Sequence, residues 1–194
     1  KEQFSHEVEL KKQRFTDDTV LSVATAYKIM NPEISYSEAY QMFYRLYKNR
    51  GFGELFKKWA ESIHLQPYMS LGNGGARRVA PVAYSVNTVE EVLLEAQRSS
   101  EVTHNHIDGI KGSQAIALSV LLARQGKSKS EIKKEISQRF NYNLNITYKE
   151  LGINSVKCPQ SIINALICFF DSTHFLDAIN KATALGGDTD TVAS

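Results

Sequence analysis

Apolar side chains recur along this chain at the three-and-four spacing of helices and show no sustained two-residue alternation. After Thr16, Val20, Val23, Ala24 and Tyr27 fall on one face of a 3.6-residue repeat. "SEAYQMFYRLYKNRG" predicts a second helix, with Ser37 as its N-cap and Gly51 as its stop. A short aromatic helix is expected from Leu55 to Ile63. "TVEEVLLEAQRSS" opens on a capping box, Thr88 with Glu91, whose side chains satisfy two free amides of the first turn. "GIKGSQAIALSVLLARQGKS" turns Ile116, Val120, Leu121 and Ala123 towards a core and stops at Gly126. Ser128 and Glu131 form a second box ahead of "EIKKEISQRF". "PQSIINALICFFDS", with Pro159 near its start, and "HFLDAINKATALGG" predict two more helices.

The period lapses in "SLGNGGARRVAPVA", in the polar "NYNLNITYKELGINSVK", and in two Asp/Thr clusters near the ends. There is no internal repeat and no low-complexity tract. The expected architecture is a single all-α domain over 1–194.

Composition narrows the function classes. At 194 residues and 42% apolar content the chain can bury a core without staples. Lys and Arg exceed Asp and Glu by only two, 23 against 21, and fall in scattered pairs such as Lys57–Lys58 and Lys133–Lys134. That is no nucleic-acid footprint. Cys158 and Cys168, ten apart, lack metal-ligand spacing, so reduced thiols and a cytoplasmic setting are expected. No apolar run approaches the ~20 residues of a membrane span, and "KEQFSHEVELKKQRF" has no signal-peptide pattern.

The chemistry gathers in three places. "TDDT", at Thr16, Asp17, Asp18 and Thr19, has the composition of a helix start, where an oxygen caps the first turn and acids complement the dipole. One cap needs one oxygen, however, and adjacent carboxylates repel, so the second aspartate calls for a cation. "GGDTDT", from Gly186 to Thr191, poses the same choice between a glycine stop followed by a cap and a ligand set. Asp188, Asp190 and Thr191 offer only oxygen, which suits hard divalent ions such as Mg²⁺ rather than zinc or copper. If the clusters meet, four carboxylates converge and need metal to neutralise them. Two ions roughly 3.5–4 Å apart would then make a binuclear centre.

"GNGGARRVAP" (72–81) is the third. Its glycines permit close backbone approach to an anion, but it matches neither a phosphate-binding loop nor a dinucleotide fingerprint, and a plain turn has the same composition. His104 and His106 in "THNHIDG" read as capping or packing residues.

Read in order, "FTDDTVLSVA", "NGGARRVAPV", "THNHIDGIKGSQAIALSVLLARQGKS" and "AINKATALGGDTDTVA" resemble the ADP-ribosylglycohydrolase family, from about Phe15 to the last residue. "ISQRFNYNL" and "CPQSIINALICFFDS" are similar to its bacterial branch. The resemblance implies an orthogonal all-α bundle with two Mg²⁺ ions in a cleft. It implies Thr16, Asp17, Asp18, Asp188, Asp190 and Thr191 as metal ligands, with Asp17 or Asp18 also serving as catalytic base. Gly72, Asn73, Gly74 and Gly75 would line the diphosphate and ribose, with His104 beside the nucleotide.

The implied partner is an ADP-ribosylated protein, often through arginine or serine, or a small ADP-ribosyl compound; neither membrane nor nucleic acid is implied. The implied reaction is hydrolysis at the anomeric carbon. An impaired ADP-ribose-binding relative is the alternative, and a metal phosphohydrolase ranks third. The resemblance departs in two respects. Arg77 stands where the family pattern carries Met, adding charge expected near the diphosphate. The family's glycine-rich first helix, with its acidic residue, and its last Gly/Ala-rich helix have no match here; Glu2, Glu7 and Glu9 are the candidate stand-ins.

Overall fold

The computed structural model describes residues 14–194, so Glu2, Glu7 and Glu9 lie outside the described residues. The helices run α1 (Asp17–Met30), α2 (Tyr36–Leu46), α3 (Glu54–Glu61), α4 (Gly74–Arg77), α5 (Val82–Ser85) and α6 (Val89–Glu101). They continue with α7 (Ile107–Arg124), α8 (Lys129–Phe140), α9 (Gln160–Asp171), α10 (Phe175–Ala184) and α11 (Thr189–Ala193). A 3-10 turn covers Tyr148–Glu150. Among the described residues there is no strand, only two isolated bridges, Gly72 with Lys157 and Asn154 with Gly187. The all-α expectation holds.

Both expected capping boxes are closed, Thr88 with Glu91 and Ser128 with Glu131. A further one starts α2 at Ser35 rather than Ser37. Ser35 has Glu38 three residues on to answer its amide, whereas the residue three beyond Ser37 is Tyr40, which the core takes. The same helix ends at Leu46, short of Gly51.

The inward face of α1 is also rotated from the expected one. Val20, Leu21, Ala24 and Thr25 are buried, while Val23 and Tyr27 are exposed. An apolar stripe could not anticipate this, because Asp17, Asp18 and Thr25 share the buried face. On α7, Leu121 is buried, Ile116 and Val120 are half-buried and Ala123 is exposed. This helix packs against α4, α5, α6, α8 and α9, and a helix enclosed on most sides shows little apolar stripe. The glycine segment, expected to be irregular, winds into α4 and α5.

Three apolar clusters result. One joins α1, α2 and α3 through Leu21, Tyr40, Tyr44, Phe52, Phe56 and Trp59. The largest surrounds α7, with Val79, Leu118, Leu121, Ile132 and Ile136 fully buried. A small one seats α11 on α9 and α10 through Cys168, Ala182 and Val192. α4 touches both α1 and α11, so the segments with candidate chemistry meet where the clusters abut.

Candidate functional site

The carboxylates at the head of each helix are not used as caps. Thr16 occupies the N-cap position of α1 and Asp188 that of α11, yet neither side chain makes a capping hydrogen bond. Asp17 instead donates its amide to the carbonyl of Arg50 at 2.7 Å, which ties the start of α1 to the loop after α2. Asp17 and Asp18 are then packed almost out of solvent, 4% and 2% exposed.

The two clusters, 173 residues apart in sequence, do come together. The Thr191 hydroxyl lies 3.1 Å from Oδ2 of Asp18 and 3.2 Å from Oδ1 of Asp188, its single proton serving either carboxylate. Asn73 donates from Nδ2 to Oδ2 of Asp188 at 2.7 Å, so the glycine loop joins the same string. Asp190 is exposed, and its charge is felt at both Asp17 and Asp18.

Arg77 is the main surprise. Its guanidinium pairs with Asp17 through one terminal nitrogen and with Asp18 through the other, so its charge is set against the acids of α1. Oδ1 of Asp18 accepts no hydrogen bond and meets Arg77 only as a charge. Burial pushes the Asp18 carboxyl up to about 7 in spite of Arg77, with Asp17 and Asp190 pushing the same way. Burial likewise raises Asp17, against the pull of Arg77. Loss of water and nearby like charges thus push these carboxyls towards the neutral form even with Arg77 beside them.

The donor set is all oxygen, which fits a hard divalent ion on the α11 side, where Asp18, Asp188 and Thr191 already touch. The fit towards α1 is poorer, because Arg77 holds both acids there. Among the described residues, no three His, Cys, Asp or Glu side chains converge closely enough to cage an ion as they stand.

A cleft of about 420 Å³ is lined by Asp17 and Asp188 together with Phe56 and Tyr68. Gly72, Asn73, Gly74 and His104 also line it. Gly75 does not. A Cβ there would lie 2.3 Å from Oγ of Ser100 and 2.6 Å from Oγ of Ser113, so its bareness lets α4 sit on α6 and α7. A Cβ on Gly74 would lie 2.9 Å from the His104 ring, so that glycine lets the imidazole reach the cleft.

His104 is neutral: burial first, then Arg78 and Arg77, hold it well below its ordinary value. Its tautomer follows from its neighbours. Arg78 can only donate, and does so to Oγ1 of Thr103 at 2.8 Å. The Thr103 hydroxyl proton then points to Nδ1 of His104 at 2.7 Å, nearer than the carbonyl of Ser100 at 3.4 Å. Nε2 is left carrying the ring proton, beside Gly72 and Gly74. His106 takes no part. It caps α7, accepting from the amide of Asp108 at 3.1 Å.

Two supports had no signal that periodicity could expose. Arg50 acts through its backbone carbonyl, which composition never reveals. Asn154, inside the polar segment before α9, donates from Nδ2 to the carbonyl of Ala182 at 2.8 Å. It also accepts from Asn164 at 3.0 Å and brackets Gly186–Asp188 with its backbone. Being buried, Asn154 needs all these partners, and burial of a polar residue in a loop is not predictable from its neighbours.

The chain is similar to known proteins along most of its length. A family model described as ADP-ribosylglycohydrolase matches residues 2–194. The Homo sapiens protein described as ADP-ribosylhydrolase ARH3 is 25% identical over 247 aligned positions, covering 93% of this chain and 68% of its own length. Its Bos taurus counterpart is 30% identical over 140 residues, 60% of this chain but only 37% of that protein. A solved structure described as an ADP-ribosylglycohydrolase-related protein complex matches with a TM-score of 0.76. That match, at 18% identity over 93% of this chain and 68% of the other, is a likeness of fold. No helix among the described residues is long and apolar enough to cross a membrane.

Proposed function

We propose that this chain, which belongs to the ADP-ribosylglycohydrolase family, hydrolyses the glycosidic bond joining ADP-ribose to a modified protein side chain or a related small compound. The observation that carries the reading is the link from Asp18 through Thr191 to Asp188, where Asp188 and Asp17 line a cleft shared with the glycine loop and a neutral histidine. The side chain or compound that bears the ADP-ribose, and Mg²⁺ as the ion, belong to the same proposal.

The residues have separable tasks. Gly72, Asn73 and Gly74 bring backbone within reach of the diphosphate and ribose, with no Cβ on either glycine to hold the ligand off. His104 donates from Nε2 and, being neutral, adds directional hydrogen bonding without charge. Phe56 and Tyr68 give the cleft apolar walls for flat or apolar parts of the substrate. Asp17 lines the cleft and Asp18 stands behind it; one of the two takes the proton of the attacking water as positive charge builds at the anomeric carbon. Mg²⁺ held by Asp18, Asp188 and Thr191, with Asp190 beside them, would supply charge that orients the ribose hydroxyls and acidifies water.

Release of ADP-ribose from arginine- and serine-modified peptides, with and without EDTA, tests the proposal. Release should be lost with EDTA and in the Asp18→Ala/Asp190→Ala double variant; release that survives both would overturn it. A second reading, ADP-ribose binding without turnover, is favoured by one observation, the hold of Arg77 on both acids of α1. Calorimetric binding of ADP-ribose alongside a blank hydrolysis assay would establish it.

A further inference from the structure

The position of Arg77 bears on how many metal ions the centre can hold, a question that rests on the metal-dependent reading above. The side chain is delivered by a backbone with little freedom. The amide of Arg77 donates to the carbonyl of Asn73 at 3.1 Å, and its carbonyl lies 3.2 Å from Oγ of Ser22 on α1, whose proton it shares with the nearer carbonyl of Asp18 at 2.8 Å. The next residue, Arg78, is fully buried, lies 4.0 Å over the Tyr40 ring, and bonds the carbonyl of Ser99 at 2.9 Å and the Thr103 hydroxyl at 2.8 Å. With α4 pinned on both sides, the Arg77 guanidinium is placed against Asp17 and Asp18 with 18% of its side chain exposed.

Charge counting sets the limit. Fully ionised, Asp17, Asp18, Asp188 and Asp190 supply at most four negative charges. Two divalent ions balance them, but two ions together with Arg77 overshoot by one positive charge, in a pocket where Asp17 and Asp18 have little solvent to screen them. One divalent ion with Arg77 totals three positive charges and stays within what the carboxylates hold. Away from Arg77, the Thr191 hydroxyl lies within 3.1 Å of Oδ2 of Asp18 and 3.2 Å of Oδ1 of Asp188, so three oxygens from the two clusters are linked on the α11 side.

We propose that Arg77 is a tethered cation that takes the place of one metal ion, so that the centre binds a single divalent ion, on the α11 side. The guanidinium is suited to the role. It is planar, always charged, and forks across two carboxylates as a compact ion cannot. Its charge is permanent, so the acids of α1 stay compensated at any concentration of metal.

Mn²⁺ titration, followed by calorimetry and by loss of the free-ion electron paramagnetic resonance signal, reads the stoichiometry without any substrate. The wild-type chain should bind one Mn²⁺. Arg77→Met, which keeps the length and removes the charge, should bind two. Arg77→Lys, which keeps the charge, should stay at one and guards against an Arg77→Met variant that folds poorly. Two ions on the wild-type chain, or one ion on both the wild type and a folded Arg77→Met, would overturn the proposal. Failure of hydrolysis alongside a one-to-two change in stoichiometry would sink the enzymatic reading and leave this inference standing.

Discussion

The two acidic clusters use the same side chains in opposite surroundings. Asp17 and Asp18 are packed beneath α4 and compensated by a fixed arginine. Asp188 is half-buried, with a hydroxyl and an amide as neighbours rather than a cation, and Asp190 is open to water. The first cluster is therefore held by charge and burial, while the second is held by backbone shape, through the turn at Gly186–Gly187 and its bridge to Asn154. Equal composition does not mean equal energetics, since burial decides whether a carboxylate is a structural burden or a surface residue.

The sharpest way to break this contrast is to remove one support on each side. Arg77→Ala in metal-free protein strands two buried acids, and should lower unfolding stability by about 3 kcal/mol, the low end for a broken buried pair because one acid can take up a proton. Asp190→Ala should stay within roughly 0.5 kcal/mol, as exposed positions do. Urea unfolding of both variants in EDTA measures the difference. Equal losses would mean the clusters are not held differently.

The backbone side has its own test. Gly187 has φ +73°, and a Cβ there would lie 2.3 Å from the carbonyl oxygen of Asn154. Gly187→Ala should cost about 2 kcal/mol in strain and displacement, and should impair Mn²⁺ binding more than the stability loss implies. Thermal denaturation paired with metal titration separates the two; a stable variant with unchanged metal affinity would count against a backbone-held cluster.

A pH-dependent effect lies between the clusters, at His104. Its value is depressed in the folded state, so below pH 6.5 the unfolded chain takes up a proton that the folded chain refuses, and stability falls as pH falls. Each pH unit below 6.5, as far as the folded value, costs about 1.4 kcal/mol. His104→Gln should flatten that part of the stability profile, and the His104 ring protons should show no titration by NMR near pH 6.5.

Much of this was legible from residue pattern. Helix periodicity gave the all-α class, and two capping boxes were readable as Thr88–Glu91 and Ser128–Glu131 because their logic is local. "TDDT" and "GDTDT" could be paired because each had one carboxylate more than a cap requires. What escaped depended on the third dimension. The orientation of α1 is hidden because its buried face carries polar residues, and α4 is hidden because two glycines oppose a helix that packing against α6 and α7 supports. Arg77 was visible as an unusual residue in a glycine loop. That its charge would face Asp17 and Asp18 could not be read without knowing that Ser22 and Asn73 fix its backbone.

The polar segment before α9 had no chemistry attached to it in sequence, yet it touches both halves of the site. The carbonyl of Val156 accepts from the amide of Asn73 at 3.0 Å, while Asn154, two residues earlier, clasps Gly186 and Asp188. Those two grips sit on a single short run of chain, so the distance between glycine loop and second acidic cluster is measured out by residue count. The segment works as a gauge: its side chains can vary where they face solvent, but one residue added or removed between 154 and 156 would put the substrate wall and the metal wall out of register.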